Sequence, residues 1–519
     1  MTMKSYEGIT DRKTQERWDD TSIERHDLYN FEAKMDYAFE ETDKKTTKYS
    51  LDAYFFVPNA LQIDKDSYPN QQFYSDMNNR VRFKTPQMSI SGLLDNDNPR
   101  SPIYIVEDRL RLIEQGVFSR KIERKINREV RLLACIVKTT LRDQLQHFIR
   151  EKTRLAEYNG IIRKVQDYVE DIESLRKRMI SLGLQFMTVQ IPEKLREAFN
   201  FADDYISLQI ETNLTKILKK YKKHMDEKFV RKCLGLIEKE QDHRRSMQSQ
   251  LLIQENNANE SYTYWEGILK KYVQGVLYLD SKDKDPTTPL LQFFYSLAAG
   301  VAMFLSLFLG FYFLGQFEEN TLPFIIGAIV IYMLKDRIKD IIKTASVKGV
   351  SVLFPDRRFE IIDAFNEEKI GECKETMHFL KYGEVPHQIL TIRESSNKSI
   401  IESKGKPENV FVYKKRLTLD NETIEEIHTR HGDINDIIRF NVREFLRYAD
   451  DPIQYENVWN RNKQEIQMMP VAKVYHINVI FRLKTYIGKQ HCNTYYKKVR
   501  VVLDQRGIKR VSEPSYSLQ

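Results

Sequence analysis

The sequence predicts a membrane protein that is mainly α-helical with α+β parts, and three observations support this fold class. An almost uncharged stretch lies in the middle of the 519-residue chain. Before it, apolar residues recur every three or four positions, as in helices, and after it they alternate with polar residues, as in strands. We therefore expect a long helical cytosolic bundle, a two-helix transmembrane hairpin and a C-terminal cytosolic α+β domain.

The overall composition argues against two classes of protein. Hydrophobic residues make up 41% of the chain and charged residues 30%, which is enough apolar content to bury several cores and excludes a largely disordered protein. The net charge of +8 comes from 82 basic and 74 acidic residues. A dedicated nucleic-acid-binding protein would carry a stronger excess of one sign, so nucleic acid is not an expected partner.

The N-terminal part is expected to contain three sections. Residues 1–50 are charged and lack periodicity, which predicts a loosely ordered leader without a cleavable signal peptide. Strand-like segments interrupted by prolines predict a small α+β unit over residues 51–103. Residues 104–285 show the helical spacing of apolar residues throughout. They are expected to form a bundle or coiled-coil-like domain, which is not typical of a compact catalytic unit.

The transmembrane hairpin is predicted from two apolar runs within residues 286–342. The first, at about 290–314, is long enough to cross a bilayer, which takes about 20 residues in a helix. The second run, Leu322–Leu334, is shorter, so its helix must extend over about 321–340 with basic side chains reaching towards the headgroups. The alternative is a re-entrant or interfacial half-helix, which would place the C-terminal domain on the other side.

Basic residues determine the expected orientation in the membrane. A cluster of them follows the second run: Lys335, Arg337, Lys339, Lys343 and Lys348. The segment between the two runs contains Glu318 and Glu319 and no basic residue. The positive-inside rule then places both termini in the cytosol and the two glutamates outside. We expect an integral protein of the lipid bilayer, in the inner or plasma membrane if the source is bacterial.

Small residues occur every fourth position along the first membrane helix: Ala298, Ala302, Ser306 and Gly310. Small side chains at this spacing allow a neighbouring helix to approach closely, which drives helix packing in lipid. The neighbour is either the second helix of the same hairpin, near Gly327, or a helix of another subunit. Both interpretations stay open, and the second implies self-association into a homo-oligomer.

Residues 343–519 are expected to form the C-terminal α+β domain. The clearest strand is Tyr475–Leu483, and the alternation repeats at Val499–Leu503, before a hairpin turn at Asp504–Gly507. Strands are further expected at Ser346–Phe354, Gln388–Arg393 and Val410–Leu419, and a helix is expected at Glu422–Tyr448.

The final hairpin is unusually basic, with tyrosines between the charges. The residues concerned are Arg482, Lys484, Lys497, Lys498 and Arg500. They predict a face for an acidic protein or an acidic lipid headgroup. The alternative is that the basic side chains only protect a solvated sheet edge.

Few residues suggest chemistry. Arg430 and His431 begin an Arg-His-Gly segment that resembles the core motif of histidine phosphatases, in which a nucleophilic histidine lies beside a phosphate-binding arginine. His428, His431 and Asp433 are an alternative set of metal ligands. The simplest interpretation of the segment is a polar helix junction. The sequence contains no glycine-rich phosphate loop and no dinucleotide-binding motif, and we expect no cofactor.

The leading functional hypothesis is therefore not an enzyme. It is a membrane-anchored, oligomeric sensor, scaffold or effector with both large domains in the cytosol. The second hypothesis is a homo-oligomeric ion channel with two membrane helices per subunit and Glu318 and Glu319 at its outer mouth. The third is a phosphatase that uses the Arg-His-Gly segment. A transporter is not favoured, because neither apolar run contains an ionisable residue.

Overall fold

The computed structural model of the chain describes residues 21–37, 46–150, 158–255, 258–284, 288–316, 322–353, 355–395, 408–427, 430, 433–487 and 490–514. The strands, numbered along the chain, are β1 Ser22–Arg25, β2 Asn30–Tyr37, β3 Thr46–Pro58, β4 Met77–Phe83, β5 Leu279–Asp283, β6 Arg357–Asp363, β7 Glu368–Leu380, β8 Glu408–Asp420, β9 Ile434–Asn441, β10 Ile453–Asn460, β11 Glu465–Ala472, β12 Tyr475–Ile487, β13 Gln490–Asp504 and β14 Gly507–Ser512. The helices are α1 Asn70–Asp76, α2 Ile90–Leu94, α3 Pro102–Glu114, α4 Arg120–Arg150, α5 Tyr158–Thr188, α6 Glu193–Tyr221, α7 Glu227–Ser246, α8 Glu260–Gln274, α9 Thr288–Leu314, α10 Leu322–Leu353, α11 His387–Glu394 and α12 Asn421–Ile427.

The strands form an antiparallel framework that joins distant parts of the chain. The large sheet has eight strands in the order β14-β13-β12-β3-β8-β7-β6-β5, and a second sheet has the order β1-β2-β9-β4. Among the strands that the structure describes, β10 and β11 pair with each other alone. Because β3 lies between β8 and β12, the expected 51–103 unit and the expected C-terminal domain share one sheet. Where the domain boundaries fall stays a prediction.

One face of the large sheet packs on the four-stranded sheet and the long helices in a single hydrophobic core. On β3, which is buried on both faces, the alternate residues Leu51, Ala53 and Phe55 point into that core, as the two-residue period of a strand requires. Helices α3 to α8 lie where the apolar spacing predicts helices. The opposite face of the sheet has a smaller cluster, in which Ile389 and Ile392 of α11 cover one end of the sheet.

A buried ion pair joins the two sheets. The Lys415 ammonium group on β8 lies 2.8 and 2.7 Å from the two carboxylate oxygens of Asp436 on β9. Tyr37 on β2 also donates its hydroxyl hydrogen to Asp436, at 2.9 Å. Lys415 is 1% exposed and Asp436 0%. Buried charges of this kind are tolerated only when they are paired, so this contact specifies how the sheets face each other.

Local predictions in the C-terminal part have mixed outcomes. The strands at Val410–Leu419, Tyr475–Leu483 and Val499–Leu503 are confirmed, and Gly507 in the final turn has a φ of 136°. Three predictions are wrong. Ser346–Phe354 is not a strand, since α10 continues to Leu353, and Gln388–Arg393 lies in helix α11. The helix predicted at Glu422–Tyr448 ends at Ile427 and is followed by β9, a strand buried between β2 and β4.

Candidate functional site

Helix α9 is the part of the molecule most suited to a membrane. Its segment Gln292–Tyr312 has a mean hydropathy of 1.9, and only 11% of its most apolar window is buried. Among the described residues it is the one helix long and apolar enough to cross a bilayer, by the criteria of length and composition. Helix α10 does not qualify, because charged residues begin at Lys335. The structure therefore does not show a two-helix transmembrane hairpin.

Helices α9 and α10 pack against each other along the small-residue stripe. Ala298 and Ala302 are buried, and Gly327 on the second helix is buried as well. Ser306 and Gly310 are partly exposed. The stripe is thus used at least in part within the pair, and packing between subunits stays a prediction.

Of the predicted topology residues, Lys343 also contributes to the pair. Its ammonium group lies 5.3 Å from the centre of the Tyr295 ring on α9. Lys335 lies 4.2 Å from the ring centre of Tyr332. Arg337 and Lys339 are on the same helix. Glu318, Glu319 and the Lys348 side chain lie outside the described residues.

A group of basic side chains lies on the face of the large sheet that is turned away from the main core. Two neighbouring rows across β12, β3 and β8 contain four cations and one carboxylate: Lys414, Arg416, Arg482, Lys484 and Asp52. We call this group the basic sheet face. It brings together residues that are 364 and 430 positions apart in the chain.

The single carboxylate of the basic sheet face is shared by two arginines. Asp52 is 1% exposed and accepts hydrogen bonds from Arg416 at 2.7 Å and from Arg482 at 2.6 Å. Burial alone would raise the pKa of Asp52, but the two guanidinium groups hold it below its ordinary value. Arg482 also donates a hydrogen bond to the Tyr54 hydroxyl oxygen at 2.9 Å. The negative charge of Asp52 is therefore compensated by Arg416 and Arg482.

The two lysines of the basic sheet face are left in a positive environment. Burial and then the charge of Arg482 lower the pKa of Lys484, and Asp52 only partly opposes this. Burial lowers the pKa of Lys414 as well; Asp52 opposes this shift, and Arg416 and Arg482 add to it. Like charges held this close repel each other. A bound anion would relieve this repulsion, so the arrangement is suited to an acidic ligand.

The other residues of the predicted acidic-ligand face have separate structural partners. Lys498 is 1% exposed and donates hydrogen bonds to the carbonyl oxygens of Ile392 and Arg393, both at 2.7 Å. Lys497 points to the opposite face, where it bonds the Thr21 carbonyl oxygen and lies 3.2 Å from Glu513. Arg500 lies two rows away from Arg482, 3.4 Å from the Asn478 amide oxygen.

The residues suggested for chemistry are not assembled into a site in the described part of the chain. The Arg430 guanidinium group lies 2.7 Å from the buried carboxylate of Glu129 and donates a hydrogen bond to the Arg100 carbonyl oxygen at 2.6 Å. His428 and His431 lie outside the described residues, whereas Asp433 is described and its carbonyl oxygen accepts from the Lys84 amide. In the described part of the chain, no three or more metal-ligating side chains are grouped as a metal site requires.

Sequence reasoning missed an apolar surface on the β10–β11 hairpin, which we call the β10–β11 arm. Cross-strand pairing places most of its large apolar side chains on one face: Ile453, Tyr455, Trp459, Ile466, Met468 and Pro470. Trp459 is 56% exposed and Ile466 is 70% exposed. The signal was present as alternation of apolar residues on both sides of a polar loop at residues 460–464.

The basic sheet face was found only in part, because Lys414 and Arg416 gain their role from pairing across β3 rather than from their local sequence. Comparison of the chain with protein-family models, with curated proteins and with solved structures finds no match in any of the three.

Proposed function

We propose that this protein is a membrane-anchored, self-associating scaffold or sensor that binds an acidic segment of a partner protein on its basic sheet face. The observation that carries the proposal is a set of four cations around one carboxylate, of which only Arg416 and Arg482 bind that carboxylate, on the sheet face turned away from the main core. The proposed activity is binding rather than catalysis, because Arg430 is occupied by Glu129 and Arg100.

The proposed anchor is α9 together with the apolar first half of α10. Phe304, Phe308 and Phe311 of α9 are 69, 63 and 71% exposed, an apolar surface that soluble proteins rarely leave uncovered. The basic cluster that begins at Lys335 would keep the sheets and long helices in the cytosol. The channel hypothesis stays a prediction, since Glu318 and Glu319 lie outside the described residues.

The shape around the basic sheet face favours a protein segment over a lipid surface. Helix α11 packs on the same face, directly over the row of Tyr54 and Ile480, which is next to the row of Asp52. A helix with its side chains is about 10 Å thick, so α11 forms a wall beside the cations. A flat bilayer would be held away by this wall, whereas a peptide chain can lie along it.

We expect Lys484→Glu to weaken the binding of a fluorescent hexaglutamate peptide to the detergent-solubilised protein about tenfold, which corresponds to about 1.4 kcal/mol. The reason is that a second carboxylate would neutralise the cations around Asp52. The measurement is fluorescence polarisation, with Lys228→Glu on the exposed side of α7 as the matched control. Equal affinity of the two variants would contradict the proposal. Binding of short-chain phosphatidylserine without binding of the peptide would show a lipid ligand instead.

Self-association is proposed to use the β10–β11 arm, with a second copy of the chain as its partner. The six apolar side chains of this face can bury roughly 600 Å² when the arm packs on a second copy of the chain. When each copy contributes its arm to the contact, the buried area approaches the value of about 800 Å² per partner found in stable complexes. The opposite face of the arm mixes polar and apolar side chains: Gln454, Glu456 and Gln467 lie there with the exposed Val458, Met469 and Val471. The first face has the larger apolar surface and is therefore better suited to contact.

We expect the double variant Trp459→Ser and Ile466→Ser to reduce the molar mass of the protein in detergent, because the exchanged arms lose their largest apolar contacts. Light scattering coupled to size exclusion measures this mass. The control is Gln454→Ser with Gln467→Ser, which changes the opposite face of the same arm. An unchanged mass in the first variant would exclude the arm as the contact.

A further inference from the structure

A cleft of about 790 Å³ separates the edges of the two sheets, and it is formed by strands β4 and β5. The two strands run antiparallel and meet at one bridge, between Arg82 and Tyr278. Beyond this bridge they share no ladder, although Asn79 and Ser281 are in facing positions. The cleft has the volume of a typical ligand site, and both of its long walls are strand edges.

The hydrogen bonds at the ends of the strands show which backbone groups face the cleft. In an antiparallel ladder, alternate residues direct both of their backbone groups to the same neighbour. The Lys84 amide donates to the Asp433 carbonyl oxygen on the β9 side, so the even-numbered residues of β4 bond to β9. The odd-numbered residues of β4 therefore direct their backbone groups away from β9, towards the cleft. The Lys284 amide donates to the Arg358 carbonyl oxygen, so the odd-numbered residues of β5 do the same.

Asn79 on one wall and Ser281 and Asp283 on the other therefore present amide and carbonyl groups to the same cleft. Exposed strand edges are templates for pairing with another extended chain. Here two templates face each other, so one inserted strand can bond to both walls and make the two sheets continuous. The facing segments are about five residues long, which corresponds to about 16 Å of extended chain.

The side chains of the cleft add a preference for positive charge. Glu375 is 2% exposed and lines the cleft, where it accepts hydrogen bonds from Tyr413 at 2.6 Å and from the Asn79 amide group at 2.8 Å. The Asn79 side-chain oxygen is buried and has no hydrogen-bond partner among the described residues. Asp280 and Asp283 add two carboxylates on the β5 wall, and the lining also contains Arg80 of β4 and Arg357 of β6.

We propose that this cleft binds an extended peptide of about five residues from a partner protein, with a lysine or arginine near its centre. The peptide backbone pairs with the edges of β4 and β5, which is recognition by β-strand addition. Its basic side chain lies between Glu375 and the unpaired Asn79 oxygen. Other positions of the peptide tolerate variation, because the backbone supplies most of the contacts.

The test compares Ser281→Pro with Ser281→Ala in the detergent-solubilised full chain. Proline removes the amide hydrogen that faces the cleft and leaves the hydrogen bonds to β6 in place, and such a proline is tolerated in an edge strand. Alanine removes only the hydroxyl group. A phage-displayed library of random heptapeptides is selected on the wild-type protein, and the enriched peptides are measured by fluorescence polarisation. We expect peptides with a central basic residue that bind the alanine variant normally and the proline variant at least tenfold more weakly.

Two readouts separate loss of binding from loss of folding. Asp283→Pro removes a second outward amide and is expected to weaken the same peptides, and thermal unfolding of each variant reports the integrity of the fold. In hydrogen exchange, the Ser281 amide is expected to slow on peptide addition, whereas the Lys282 amide is protected throughout by β6. No enrichment, or equal binding to the proline variants, would overturn the proposal.

Discussion

Lys415→Met is expected to lower the free energy of unfolding by about 3–5 kcal/mol, because it removes one partner of a fully buried ion pair. The carboxylate of Asp436 would then remain buried between the two sheets, where the Tyr37 hydroxyl still donates a hydrogen bond to it. Urea unfolding of the detergent-solubilised protein, followed by tryptophan fluorescence, measures the change. Lys414→Met is the matched control on the same strand, where the half-buried lysine is expected to change stability by less than about 1 kcal/mol.

A double variant tests the reason for this effect. Lys415→Met combined with Asp436→Leu removes both charges, so it is expected to be more stable than Lys415→Met alone. If the double variant were less stable than the single one, the lone carboxylate would not be the cause. Burial lowers the pKa of Lys415, but Asp436 outweighs it, so the pKa is raised above 10.5. The contribution of the Lys415 charge is therefore complete below the ordinary lysine pKa and is lost as the pH rises through the higher folded-state value.

Replacing Phe304 and Phe308 of α9 with arginine is expected to release the protein from membranes. Each arginine at the centre of a membrane helix costs about 2.5–3.5 kcal/mol on insertion scales, so the two together cost roughly 5–7 kcal/mol. The measurement is the fraction of protein that remains in the membrane pellet after alkaline carbonate extraction. We expect wild type in the pellet and most of the double variant in the supernatant.

The matched control for this experiment is Phe304→Leu with Phe308→Leu, which keeps both positions apolar and is expected to stay in the pellet. Extraction of the wild-type protein by carbonate without detergent would contradict membrane anchoring by α9. Retention of the arginine variant would show that this segment does not supply the anchor.

Predictions from sequence were most accurate where the periodicity or composition of one segment is enough to indicate its secondary structure. Tyr475–Leu483 alternates at every position except Ile480 and is a strand, and the apolar run of α9 forms one continuous helix. They failed where a short apolar segment fits more than one structure. Gln388–Arg393 mixes apolar and polar residues on both sides of a strand, whereas a helix brings Ile389 and Ile392 to one side, where they pack on Tyr54 and Phe56.

The candidate sites show the same division. Arg482 and Lys484 stand out in the sequence as part of a basic hairpin. Lys498 belongs to the same hairpin, but it is buried under α11 and donates hydrogen bonds to carbonyl oxygens there. Lys414 and Arg416 gave no signal, since their neighbours on β3 come from the other end of the chain. The two strand edges of the cleft could not be found from local patterns at all.

The sequence by itself determined the helical and strand character of the strongly periodic segments, the long apolar helix α9 and the basic character of the last hairpin. These properties follow from the order of residues within one element. The tertiary structure decided which strands became neighbours, which cations meet around Asp52, and that β4 and β5 face each other across an open cleft. The physical reason is that antiparallel pairing joins residues hundreds of positions apart, and the buried Lys415–Asp436 pair then holds the two sheets in one relative position.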